Sequence, residues 1–239
     1  MIIAIDTSTE TASLALVKDG EVLAESTWRC GQSHTTQLLL QLSQLLKQTG
    51  QDLKAATGVV VARGPGSFNG LRVGVSTAKG FAFSLNIPII GIGTLEVEAY
   101  QHAETGLPIC AMHNAGRGEI AAAIYQKKGN KWQCPLPEHL TTVQSLSAQI
   151  ATKTIFCGEL TPDMISTIRK AFPRKAIIPS SAARLRRAGY LAELGLKRFK
   201  AGDCDNPATL QPIYLRRPPI TTPKKNLVIG GIHGELARP

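Results

Sequence analysis

The chain has 239 residues, a formal net charge of +10, 43% hydrophobic residues and a mean hydropathy of zero. That size suits one large domain or two small ones with a real core, and no apolar run approaches the roughly 18 residues that a membrane span needs. Asp6 arrives too early for a signal peptide, and five scattered cysteines without C-x-x-C spacing point to reduced thiols in the cytoplasm and away from a structural zinc.

In chain order, Ile2 to Ile5 reads as a short buried strand ending at Asp6. A polar turn, Asp6 to Thr11, leads into a second strand, Ala12 to Val17, and Asp19-Gly20 makes a tight hairpin into a third, Glu21 to Trp28. Leu38, Leu42 and Leu45, with Leu39 and Leu46, give helical periodicity from about His34 to Gln48, stopped by Gly50. Gly58 to Ala62 is an apolar strand. Next comes Arg63-Gly64-Pro65-Gly66-Ser67-Phe68-Asn69-Gly70-Leu71-Arg72, a strand–turn–helix junction in which Ser67 or Asn69 can cap the helix that follows to Leu85. Ile87 to Ile92 is a strand, and Thr94 can cap a helix to about His102 that carries Glu96 and Glu98 near its start.

A second series follows in similar order. Strands are expected at Ile109 to His113, at Ile120 to Tyr125 and near Lys131 to Cys134. A helix over Val143 to Ile150, a strand at Thr154 to Cys157 and a helix over Pro162 to Phe172 come next. A short strand at Ala176 to Ile178 then leads to a long basic helix from Ser180 to Phe199. The repetition lies in element order, not in residues. It predicts an α/β chain of two similar lobes, each a mixed β-sheet flanked by helices. The divisions are 1–106 for the first lobe, 107–216 for the second, and 217–239 for a basic, proline-containing tail, extended or mobile.

The glycine junction invites an anion-binding reading, because backbone N–H groups and the helix dipole favour one there. Its spacing fits neither familiar nucleotide loop: the second glycine position of G-x-x-x-x-G-K-[ST] holds Asn69, and Gly70 comes one place late for G-x-G-x-x-G. A tight structural turn is the expectation. In the helix beyond it, Gly70, Gly74, Ala78 and Ala82 recur every four residues, while Ser76, Gly80 and Ser84 form a second row. Each interior glycine costs about 1 kcal/mol relative to alanine, so close approach of another backbone is expected. Its source stays open between the chain's own sheet and a helix of another chain. The late cations Arg184, Arg186, Arg187, Lys197, Arg198 and Lys200 read as a solvated helix face. Contact with RNA through Arg184, Arg186 and Arg187 is the sharper alternative.

Three stretches carry a family resemblance: Ile3-Ala4-Ile5-Asp6-Thr7-Ser8, the Arg63 to Arg72 block, and Pro212-Ile213-Tyr214-Leu215-Arg216. In order and spacing they resemble the bacterial TsaB (YeaZ) family, over nearly the whole chain to about Arg216. Asn69 departs from the usual threonine. The resemblance implies the two-lobed, RNase H-like fold of actin, Hsp70 and hexokinase, with catalysis lost. It implies a subunit that supports TsaD, which transfers a threonylcarbamoyl group to the adenosine beside the anticodon of tRNAs, and that works with the ATPase TsaE. The resemblance further implies a homodimer when the chain is alone, tRNA met only through the complex, and no cofactor, metal or membrane. Partner contact would fall to His34, Leu38, Leu42 and Leu45 on one helix and to Gly70, Arg72, Gly74, Ala78 and Ser84 on the next. Asp6, Thr7, Ser8 and Thr9 would form a vestigial nucleotide loop.

The residues agree with a missing active site. The histidines are solitary, and the metal-holding H-x-x-x-H pair of TsaD-like catalysts does not occur. At the equivalent turn of the second lobe, Asn114 and Gly116 stand where relatives have Asp-Ala-Arg, which removes an acid and a cation. The competing reading is an ATP-dependent phosphotransferase of the same superfamily using Asp6 and the Thr7 to Thr9 loop.

Overall fold

The computed structural model describes residues 1–31 and 33–216, and the expected tail lies outside them. Strands β1 (Ile2–Asp6), β2 (Thr11–Lys18) and β3 (Glu21–Arg29) form an antiparallel meander whose tight turn is Asp19-Gly20, both at positive φ. The chain then crosses twice through helices, α1 (His34–Thr49) to β4 (Gly58–Ala62) and α2 (Phe68–Leu85) to β5 (Ile89–Ile92), giving the sheet order β3-β2-β1-β4-β5. β1, β4 and β5 run parallel and are buried from end to end, as strands covered on both faces must be.

The second sheet repeats this plan. A meander of β6 (Ile109–Gly116), β7 (Glu119–Lys128) and β8 (Lys131–Thr141) is joined by parallel β9 (Thr154–Gly158) and β10 (Ala176–Ile177), in the order β10-β9-β6-β7-β8. The two mixed sheets flanked by helices are the fold class the element order predicts. Helix α4 (Pro162–Ala171), capped by the Thr161 hydroxyl, links β9 to β10. Two expected helices shrink: residues 143–150 hold only a 3-10 turn at Ser145–Ala148. The long basic helix is confined to α5 (Ala188–Lys200), after a separate turn at Ala182–Arg184. No described helix is long and apolar enough to cross a membrane.

Two helices bind the lobes together. Helix α5 follows the second sheet in sequence but packs on the first, where Ala188, Leu191, Ala192 and Leu194 meet Ala4, Ala15, Val60 and Ile90. Helix α3 (Thr94–Tyr100) sits between the sheets, with Val97 against the first and Leu95 and Ala99 against the second. After α5 the chain returns along the first lobe. Asp205 pairs with Ile89, buried Leu210 joins the first core, and the Ile213 N–H donates to the Arg63 carbonyl at 2.6 Å. Arg216 then reaches the second lobe, bonding the Ala115 carbonyl and pairing with Glu119.

Candidate functional site

The loop after β1 is where the two lobes, α2 and the segment before α5 converge. The Asp6 carboxylate accepts the Ser8 N–H at 2.9 Å and the Ser8 hydroxyl at 2.7 Å on one oxygen. The Arg186 guanidinium donates to the other oxygen from Nε at 2.5 Å. The same guanidinium donates to Glu98 Oε1 at 2.8 Å, to the Thr9 hydroxyl at 2.9 Å and to the Thr11 carbonyl at 3.2 Å. Asp6 and Glu98 are 0% exposed and Arg186 is 3% exposed, so one cation faces two acids in a dry junction. Both oxygens of Asp6 are engaged, whereas Glu98 Oε2 has no partner. Burial therefore falls hardest on Glu98, raising its pKa to about 8, so that it holds a proton and the cluster balances its charge. His113, with Nε2 at 3.7 Å from Glu98, is held neutral by burial and by Arg186, its pKa lowered to about 3.

This arrangement corrects one reading and answers another. Arg186 is no solvated cation free for RNA, and Arg187 beside it pairs with Glu25. Arg184 bonds the Pro179 and Leu160 carbonyls. The late cluster is thus split between the buried junction and local contacts. Both Asp6 oxygens are engaged within the chain, Oδ1 by the Ser8 turn and Oδ2 by Arg186. Beyond Asp6, the sequence signal for the cluster was Glu98, an acid between Val97 and Ala99 in a short, largely buried helix.

The glycine block explains itself against the same loop. Gly64, at φ 113°, turns the chain so closely that a Cβ would lie 2.6 Å from the Ile213 carbonyl. The Ser67 N–H donates to the Ser8 carbonyl at 2.7 Å and its hydroxyl caps Gly70 at 3.4 Å, so these polar groups are spent within the chain. The Thr7 hydroxyl donates to the Gly70 carbonyl at 2.7 Å. A Cβ on Gly70 would meet the Thr7 carbonyl at 2.1 Å, and one on Gly74 would meet the Thr7 hydroxyl at 2.4 Å. The row Gly70, Gly74, Ala78 thus packs inward, against the chain's own loop and sheet, and is not presented to a foreign helix. Thr94 likewise does not cap α3, whose N-cap is Gly93; its hydroxyl accepts the Gly64 N–H.

Helix α1 shows the same inward turn. Leu38, Leu42 and Leu45 enter the first core beside Ile3, Ile5 and Leu14, each contributing roughly 2 kcal/mol by burial. Buried His34 donates from Nε2 to the Thr9 carbonyl at 2.7 Å. The physical reason is amphipathic: the stripe that is most regular in sequence is the one the sheet takes. Of the nine expected contact residues, Arg72 and Ser84 remain outside, with Arg72 over the Phe68 ring at 5.3 Å. The outer surface is made instead by Leu39 (55% exposed), Leu40 (56%) and Phe83 (61%), with the second row, Ser76, Gly80 and Ser84. Open space surrounds Gly80, where a Cβ would meet nothing within 4 Å.

A cleft of about 1030 Å³ lies between the lobes, lined by Thr9, Ser67, Asn114, Glu159 and Tyr214 among others. Its two candidate acids are spoken for, Glu10 by Arg29 and Glu159 by the Thr9 hydroxyl. Asn114 closes its own turn, accepting the Gly116 N–H at 2.8 Å. Among the described residues no three His, Cys, Asp or Glu side chains converge as a metal site would require.

A protein from Bacillus subtilis named tRNA threonylcarbamoyladenosine biosynthesis protein TsaB is 30% identical over 218 residues, covering 90% of this chain and 93% of that relative. The chain belongs to the TsaB family. A Haemophilus influenzae TsaB is 28% identical over 90% of this chain and 93% of its own length. A family model described as "TsaD: tRNA N6-adenosine threonylcarbamoyltransferase" matches residues 28–220. Among solved structures, YeaZ from Pseudomonas aeruginosa superposes with a TM-score of 0.74 at 22% identity, covering 89% of this chain and 99% of that one. That likeness shows the fold, two mixed sheets flanked by helices, and the match to the TsaB relatives upholds the resemblance read from the sequence.

Proposed function

We propose that this chain is the non-catalytic subunit of a cytoplasmic assembly that installs the threonylcarbamoyl group on the adenosine next to the anticodon of tRNAs. It supports a TsaD-type catalyst, with TsaE as a further component, and pairs with itself when the catalyst is absent. The TsaB relatives and the TsaD family match support the pathway. The observation that carries the partner role is that α1 and α2 expose three large apolar side chains, Leu39, Leu40 and Phe83, and that α2 also presents an open glycine, Gly80. Large contiguous apolar surface marks a protein contact, and Gly80 lets a second backbone approach at close range. The same surface serves both partners, because TsaD and this chain share a family.

The competing phosphotransferase reading asks Asp6 to position a metal or water, and Arg186 with Ser8 already occupies that carboxylate. The test is the mass of the species formed with a TsaD-type partner, by light scattering at micromolar concentration. Leu40→Glu or Phe83→Glu is expected to abolish the complex while leaving the fold intact. An unchanged complex would refute the interface. Mg-ATP turnover by the chain alone, lost in Asp6→Ala, would refute the non-catalytic role.

A further inference from the structure

The second sheet carries its charge at one end. β6, β9 and β10 are parallel, so their first residues share an edge, and antiparallel pairing brings the end of β7 and the start of β8 to that edge as well. Register places the residues: Ala176 faces Thr154, Ile155 faces Ile109, Ile109 faces Tyr125, and Lys128 faces Lys131. Lys175 and Lys153 therefore sit just before β10 and β9, and Lys128 and Lys131 flank the β7–β8 turn. The last turn of α4 comes down to the same end with Arg169 and Lys170, and Arg174 follows in the link to β10.

Lys128, Lys131, Lys153 and Arg174 are exposed, as are both cations of α4. Acids are scarce here. Glu104 pairs with Lys127, and among the described residues the other cations along this edge form no ion pair, Lys175 bonding only the Ile150 carbonyl. The lobe's Glu119, Glu159 and Asp163 lie at the opposite end, toward the cleft, at the start of β7, past the end of β9 and at the start of α4. The cations of α4 also complement its dipole, but Lys128 ends β7, Lys131 begins β8, and Lys153 and Arg174 lie on links, where no helix end calls for them. Four strand spacings separate β10 from β8, about 19 Å, so the stripe is long enough to meet several phosphates.

We propose that this edge of the second lobe docks the phosphate backbone of a structured RNA, an inference that rests on the proposed role in tRNA modification. It places the RNA contact at the far end of the second sheet, away from Arg184, Arg186 and Arg187. It also leaves the outer face of α1 and α2 to the protein partner. The aromatic residues next to these cations, Trp132 and Phe172, pack into the cores, so the contact reads backbone and shape, without base sequence.

The test is fluorescence anisotropy of an end-labelled tRNA transcript with the full chain, alone and bound to its TsaD-type partner, from about 50 to about 200 mM salt. The variant is Lys128→Glu, Lys153→Glu and Arg174→Glu combined, with the charge-matched Lys18→Glu, Lys54→Glu and Lys200→Glu, away from that edge and from α1 and α2, as the control. The triple variant is expected to lose tenfold or more in affinity, with a salt dependence shallower by about 0.7 to 0.9 per contact removed, while the control matches the parent. Equal affinity in parent and triple variant, equal loss in variant and control, or no RNA binding by the parent in either state would overturn the proposal. So would loss of the protein complex by the triple variant, since that would make the edge a surface for an acidic protein. The mass of the complex, measured on the same samples, separates failure of this docking surface from failure of the subunit role itself.

Discussion

The two glycine rows of α2 make opposite demands that single methyl groups can expose. Gly80→Ala adds a Cβ into open space and removes a glycine from a helix interior, so the isolated chain should gain up to about 1 kcal/mol. Gly70→Ala adds the same methyl 2.1 Å from the Thr7 carbonyl oxygen and 3.2 Å from the His34 ring. An ordinary C···O contact is about 3.3 Å, so the loop or the helix must move by roughly 1 Å in a fully packed place. Overpacking of that kind costs about 1–3 kcal/mol. Displacing the Thr7 hydroxyl from the Gly70 carbonyl adds about 1 kcal/mol more. The two variants should therefore differ by about 2–5 kcal/mol in urea unfolding, measured at several chain concentrations so that self-association is accounted for. Affinity for the TsaD-type partner should fall in Gly80→Ala, whose stability is not in question. Equal stabilities would refute the assignment of the inner row, and unchanged partner affinity in Gly80→Ala would refute that of the outer row.

Arg186→Met leaves Asp6 buried opposite no cation and should cost about 3–5 kcal/mol, while exposed Arg187→Ala should cost about 1 kcal/mol or less. Thermal unfolding of both distinguishes a structural junction from a surface charge, and similar effects would contradict it. Glu98 keeps its proton in the fold to about pH 8 against an ordinary value of 4.5, so the fold binds the extra proton and its stability falls as pH rises between those values. His113, lowered from 6.5 to about 3, acts in the opposite sense, stability rising with pH across that range. The two offset one another from about 4.5 to 6.5, leaving a net loss between about 6.5 and 8 on the order of 2 kcal/mol. Glu98→Gln should flatten that part of the urea midpoint against pH, and an unaltered slope would exclude Glu98 as its source.

The sequence by itself determined what depends on near neighbours. Short apolar runs and the Asp19-Gly20 turn specify the first meander, and the leucine spacing specifies α1 to within a residue of its ends. The repeated element order specifies two like sheets. Tertiary structure decided what depends on residues far apart in the chain. A row of small residues has the same spacing whichever way it faces, so only the approach of Thr7, folded back over α2, settles that Gly70 and Gly74 are inside and Gly80 outside. Arg186 reads as one more cation in a basic run until the fold sets it against Asp6, 180 residues away, and Glu98, 88 residues away. Burial then makes that pairing obligatory, because a charge taken out of water is tolerated only where an opposite charge meets it.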